Sequence, residues 1–219
     1  MSLFDIWLGI LKGADVTLLV TLYGLLYAVP FALAFGVAQF LTAGILRSVV
    51  TTIIEFWRSS SVIILLFVFF YALPTVGVEM SAITVSALVL GLNAGAYASQ
   101  AVRGGLETLD RGQREAGTAL GLARAQTLLL IELPQALTKM TPTFVNQLIQ
   151  LIKGTALVSL VTLSDMTFRA KEISQVEYNP VGVYTALLLA YFVMCYPIAL
   201  FGRSLEARLL SGKGLTRGV

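Results

Sequence analysis

Residues 103–124, RGGLETLDRGQREAGTALGLAR, and their continuation AQTLLLIELP to residue 134 decide how this chain is read. They form the longest polar interval in a sequence otherwise made of long apolar runs. Glu107, Asp110, Arg111, Arg114 and Glu115 stand among good helix formers, so the interval predicts a water-facing helical hairpin. Within it Ala116, Ala119, Leu120 and Ala123 recur at helical spacing and give a narrow apolar face suited to the groove of a partner protein. Arg111 and Glu115 flank that face as rim charges. Gly121 is placed to end the helix, because glycine enters the left-handed region at no steric cost. Leu133-Pro134 then restarts the chain towards the next apolar run.

What lies on either side is too apolar for water. The chain is 57% hydrophobic and 12% charged, with a mean hydropathy of +0.85, whereas soluble domains carry roughly a quarter charged residues. A spanning helix needs about 20 mostly apolar residues. Towards the amino terminus stand residues 82–102, with Gly91, Gly95 and Ser99 presenting a small face for close helix contact. Before them come residues 49–73, interrupted by the polar patch Glu55, Arg58, Ser59, Ser60 and Ser61 and closed by Pro74. The earliest run is 16–41, with Gly24, Pro30 and Gly36 inside it. Towards the carboxyl terminus a crossing is expected within 134–163, bent at Pro142 and carrying Asn146, Gln147, Gln150 and Lys153. A polar loop over 164–180, a last apolar run over 181–201 and a basic tail follow. The expectation is a single all-α membrane domain over 1–219 with about five transmembrane helices and no room for a soluble catalytic domain. Residues 1–12 lack the basic region and apolar stretch of a cleaved signal, so the first apolar run is expected to be retained.

Lys and Arg collect on cytoplasmic flanks. With the amino terminus outside, the inner side receives the nine residues Arg47, Arg103, Arg111, Arg114, Arg124, Arg203, Arg208, Lys213 and Arg217, and the outer side the three residues Lys12, Arg169 and Lys171. This predicts a cytoplasmic hairpin and a cytoplasmic carboxyl terminus. The net charge of +3 therefore speaks of orientation in a bilayer, and no nucleic acid partner is expected. Cys195 is the only cysteine and histidine is absent, which excludes an internal disulfide and leaves a zinc or haem site almost without ligands.

Glu115-Ala116-Gly117, Gly121, Ile131 and Leu133-Pro134 stand at the spacing of the EAA loop, and the interval resembles that loop in ABC importer permeases, with Gly117 in place of the third small residue. The resemblance covers most of the chain. Leu92-Asn93-Ala94-Gly95-Ala96-Tyr97, Arg111-Gly112-Gln113-Arg114-Glu115-Ala116, Leu133-Pro134-Gln135-Ala136 and Lys153-Gly154-Thr155-Ala156-Leu157 look like the polar amino acid (histidine/glutamine-type) branch. That branch more often reads Lys-Asp-Thr-Ser-Leu at the last stretch, and Phe-Arg-Gly-Thr-Pro where this chain has Trp57-Arg58-Ser59-Ser60-Ser61. Lys153 to Leu157, together with Thr162 to Phe168, looks most like permeases for ectoine and hydroxyectoine, zwitterionic compatible solutes derived from an amino acid.

The resemblance implies a type I ABC importer permease fold in a bacterial cytoplasmic (inner) membrane. It also implies a second permease subunit, identical or paralogous, a dimer of ABC ATPase subunits and an extracytoplasmic solute-binding protein. The chain itself would be a non-catalytic transport subunit needing no cofactor, with ATP and Mg held by the ATPase partner, and indeed it contains no Gly-x-x-x-x-Gly-Lys-Ser/Thr loop for ATP phosphates. Residues 107–134 would be the coupling loop, with Arg111, Arg114, Glu115, Ala116, Ala119, Leu120, Gly121, Leu133 and Pro134 meeting or positioning the ATPase.

Charged groups within a span are costly and belong on the bundle interior or a water-filled path. Glu55, Arg58 and Lys153, with Asn93, Gln147, Gln150 and Thr155, are therefore candidates for the translocation path or substrate contact. The plainer reading pairs Glu55 with Arg58, three residues apart on a helix, and uses the amides for hydrogen bonds between helices. Residues 164–180 offer either a docking surface for a binding protein or a solvated loop. An ATP-independent secondary transporter or channel also places polar groups in its spans, but gives the hairpin no role. An intramembrane enzyme lacks a visible nucleophile with a base.

Overall fold

In lipid each backbone N–H and C=O must be satisfied within its own segment, so a chain of apolar runs folds as helices. The computed structural model describes residues 3–211, and among them every regular element is helical. Lys213 and Arg217 of the basic tail lie outside the described residues.

The first run starts earlier than residue 16. Helix α1 (Leu3–Leu11) and helix α2 (Ala14–Leu41) make one apolar stretch of 39 residues. Ile6 and Ile10 of α1 are fully buried in a cluster with Met166, Ala170, Val183 and Ala186, which holds this end of the chain down. Between the two helices Gly13 lies on the backbone of Asp165, where a Cβ would sit 2.4 Å from the Asp165 carbonyl carbon.

The second run is not a straight crossing. Helix α3 (Gly44–Ser59) and helix α4 (Val62–Phe67) with its continuation to Val76 meet at 92°. Ser60 and Ser61 both adopt extended backbone there, which breaks the helical ladder at the polar patch. Among the described residues four helices are long and apolar enough to cross a membrane, and five spans result if the bent pair counts as one.

Helix α5 (Ala82–Glu107) begins at Ser81, whose hydroxyl accepts from the Thr84 amide at 3.2 Å, and continues past residue 102 into the polar interval. It packs along α2 at backbone contact. A Cβ on Gly91 would lie 2.4 Å from the Gly24 carbonyl oxygen, one on Gly95 2.8 Å from that of Ala28, and one on Gly36 2.6 Å from that of Ser99. The small face on 91–99 is thus used inside the chain. Around it Val20, Leu66, Val85, Val89, Val158 and Val161 form the main core.

The hairpin helices α6 (Arg111–Ala119) and α7 (Arg124–Thr127) lead through a π turn (Leu128–Glu132) into α8 (Leu133–Lys139). The fourth span runs over Thr141–Val161, later than Pro134. Pro142 sits just after the break between α8 and α9 at Met140, in the first turn of helix α9 (Thr141–Gly154), where its missing N–H leaves no helical bond unmade. The span then tightens to a 3-10 turn (Thr155–Val161). Residues 166–177 are not a loop but helix α10 (Met166–Glu177), capped by the Asp165 carboxylate, which accepts from Phe168 and Thr167 amides at 2.9 and 3.1 Å. Helix α11 (Pro180–Ser211) supplies the last crossing, with Leu188, Leu189, Phe192 and Val193 uncovered along it.

Candidate coupling hairpin and translocation face

The hairpin is locally determined. The Asp110 carboxylate accepts from the Gly112 amide at 2.7 Å and starts α6. Gly121, at φ +76°, ends it: the Gly121 amide donates to Thr118 and the Leu122 amide to Gly117, both at 3.0 Å. Gly117 is buried against Thr127 of α7, and a Cβ there would come within 2.6 Å of the threonine side chain. Because Thr127 is β-branched and stiff, this close return explains glycine at the third position of Glu115-Ala116-Gly117.

Glu132 fixes the hairpin to the rest of the molecule. Its carboxylate is buried and ion-paired to Arg124, and accepts from Arg114 Nε at 3.5 Å. Both guanidinium groups also lie 6.0 Å from the ring centre of Phe40, at the end of α2. Gln135 donates to Gln113 at 3.0 Å, and Leu133 packs against the cluster of Val102, Leu106, Leu128 and Ala136, while Pro134 is exposed. Sequence reasoning passed over Glu132; the signal was a single acid inside the apolar stretch 128–133.

On this mount, Ala116, Ala119, Leu120 and Ala123 are exposed, with Leu120 76% exposed, and Arg111 and Glu115 are exposed beside them. Among the described residues nothing covers the apolar face.

The second group of candidates divides. Arg58 is ion-paired to Glu55 and lies over the Tyr97 ring, 5.0 Å from its centre. Asn93 donates to the Trp57 carbonyl at 2.7 Å, and Tyr97 to that of Arg58 at 3.2 Å. These contacts join the end of α3 to α5. Thr155 does not share an accessible surface with them: it is fully buried and its hydroxyl donates to the Ile152 carbonyl at 2.7 Å.

Helix α9 differs. Asn146, Gln150 and Lys153, spaced i, i+4, i+7 on one face, are all exposed, and Gln147 beside them is half-buried. None of the four side chains has a hydrogen-bond or ion-pair partner among the described residues. Gln147 and Gln150 border both a pocket of about 370 Å³ towards α5 and a cleft of about 740 Å³ towards α11. Among the described residues no three His, Cys, Asp or Glu side chains stand together as metal ligands.

The profile of the family described as binding-protein-dependent transport system inner membrane component matches residues 12–211. The chain belongs to that family. Among its relatives this permease is 35% identical to the probable amino-acid ABC transporter permease protein y4tF of Sinorhizobium fredii, over 94% of this chain and 89% of that one. It is 31% identical to the probable glutamine ABC transporter permease protein GlnP of Bacillus subtilis, over 90% of this chain and 91% of that one. The fold matches a crystal structure of an amino acid ABC transporter with histidines, at a TM-score of 0.78 and 25% identity over 94% of each chain. It also matches the MetNI methionine ABC transporter in an inward-facing conformation, at a TM-score of 0.73 and 22% identity over 95% of the permease and 97% of that chain. The architecture is that of a type I ABC importer permease, and the permease is a multi-pass protein of the inner membrane.

Proposed function

We propose that this permease carries a polar amino acid, or an amino-acid-derived compatible solute such as ectoine or hydroxyectoine, across the membrane on ATP hydrolysed by separate subunits. The observation that carries the reading is the uncovered apolar face at Ala116, Ala119, Leu120 and Ala123, mounted on the spans through Glu132. In this reading the amino terminus is outside, the hairpin is cytoplasmic, and α6 lies in a groove of an ATPase subunit that holds ATP and Mg. Arg111, Arg114, Glu115, Gly121, Leu133 and Pro134 set its register. A second permease and an external binding protein complete the importer, and the unpartnered face of α9 borders the path. The amino acid class is supported by the relatives, which are described as amino-acid and glutamine permeases. The compatible-solute class is supported by Gly154 and Ala156 and by the stretch Thr162 to Phe168.

The test is uptake into proteoliposomes of the assembled importer. Uptake should stop when the ATPase subunit is inactivated. Uptake that persists on an ion gradient alone would replace this reading with a secondary transporter. Binding of ectoine, glutamine, arginine and histidine to the cognate binding protein separates the two solute classes.

A further inference from the structure

Lys153 lies near the middle of the span Thr141–Val161, where an ammonium group cannot face hydrocarbon cheaply, yet it is exposed and no acid pairs with it among the described residues. It borders the cleft between α9 and α11 together with Asn146, Gln150, Tyr191 and Tyr196, and no Asp or Glu lines that cleft. The adjoining pocket adds Asn93 and Tyr97 across Gln147 and Gln150, and it too is lined by no Asp or Glu. Two acids stand behind these walls, and both are engaged. Glu55 is held by Arg58, which covers Tyr97. Asp165 has no exposed surface and accepts from the first amides of α10 and from the Tyr191 hydroxyl at 3.3 Å. The accessible walls therefore offer one positive charge, several neutral amides and tyrosines, and no negative charge.

We propose that Lys153 binds the carboxylate of the transported solute, and that the path selects solutes with one free carboxylate and an otherwise neutral polar body against solutes with a cationic side chain. This rests on the importer reading above. An ammonium meeting a carboxylate gains a charge-assisted hydrogen bond, stronger than one between neutral groups. The solute's own cationic centre is left to amide carbonyls and to the stacked rings of Phe192 and Tyr196, whose centres lie 5.1 Å apart. A second cationic centre has no countercharge on these walls and meets the like charge of Lys153.

The experiment is direct probe binding to the purified permease–ATPase complex without binding protein, so that the permease's own selectivity is read. The probes are L-glutamine, ectoine, L-arginine and L-glutaminamide, in which an amide replaces the carboxylate. Glutamine or ectoine should bind, with arginine and glutaminamide at least tenfold weaker. Lys153→Gln should bring glutamine down to the level of glutaminamide, and Lys153→Arg should keep the preference for the carboxylate. The wild-type series needs no variant, so a variant that fails to assemble leaves the test standing. Arginine or glutaminamide binding as tightly as glutamine overturns the proposal. So does a Lys153→Gln complex that keeps the wild-type preference, or a wild-type complex that binds no probe at millimolar concentration. ATP-dependent uptake by the wild-type importer with its binding protein is measured in parallel. Loss of ATP dependence sinks the importer reading, whereas ATP-dependent uptake with any of the overturning binding results sinks only the role of Lys153.

Discussion

The buried carboxylate of Glu132 is ion-paired to Arg124, eight residues earlier on the far side of the π turn, and Arg114 on α6 approaches the same group. With 5% of its side chain exposed, Glu132 depends on these guanidinium groups, which are themselves about half in water. Leaving a buried charge without its partners costs about 3–5 kcal/mol, whereas replacing the whole set by apolar side chains is often close to neutral. Arg114→Met with Arg124→Met should therefore loosen α6 and α7, seen as faster amide hydrogen exchange over 111–127. Adding Glu132→Met should restore most of the protection. Equal exchange in the double and triple variants would show that the ion pairs do not hold the hairpin.

Gly121 makes a different demand on the same element. Its φ of +76° closes the turn after α6, and nothing lies within 4 Å of where a Cβ would be, so the constraint is backbone and not space. A β-branched residue in that region costs about 1–3 kcal/mol, and asparagine less. Gly121→Val should reach the membrane in normal amount but lower solute-stimulated ATP hydrolysis of the assembled importer several-fold, with Gly121→Asn between it and wild type. Full stimulation in the valine variant would separate the shape of this turn from coupling.

Between α2 and α5 the constraint is space. Gly91 meets the Gly24 carbonyl so closely that no side chain fits without parting the helices, while Gly104, on the same helix, has nothing within 4 Å of a Cβ position. Gly91→Leu should lower the thermal midpoint of the detergent-solubilised permease or prevent its accumulation, since forced overpacking costs about 1–3 kcal/mol or more. Gly104→Ala should leave the midpoint unchanged or raise it, because alanine is the better helix former by about 0.5–1 kcal/mol. Similar behaviour of the two variants would contradict the assigned helix contact.

The sequence made the spans and the hairpin legible because both are written in local terms: apolar length for the first, charge with helical spacing and a glycine stop for the second. It was less informative where tertiary contact overrides pattern. Ile6 and Ile10 extend the first run because Met166 and Ala170 cover them, a contact more than 150 residues away in sequence. The 92° break at Ser60-Ser61 looked like a mere polar interruption, since serine is tolerated inside helices and only the observed backbone shows that it was not. Thr155 looked like a path residue beside Lys153, but the tightening to a 3-10 turn directs it inwards. Glu132 escaped because its partners Arg114 and Arg124 meet it only after the hairpin closes.

Asp165 gives a prediction at the end of the fourth span away from the hairpin. It lies outside the spans, has no exposed surface, and burial raises its pKa above the usual 3.8, although the amides of Phe168 and Thr167 and the hydroxyls of Thr167 and Tyr191 act to lower it. The folded state therefore keeps this proton at a pH where the unfolded chain has released it. Stability from this group is fully present below about pH 3.8, declines as pH rises through the elevated folded value, and does not change beyond it. Asp165→Asn keeps an oxygen for the α10 amides and removes the titration. The thermal midpoint of the wild-type protein minus that of the variant, followed from pH 3 to 7, should fall with rising pH. A difference that stays flat or rises would mean that the amide bonds outweigh desolvation and that the carboxylate is held ionised.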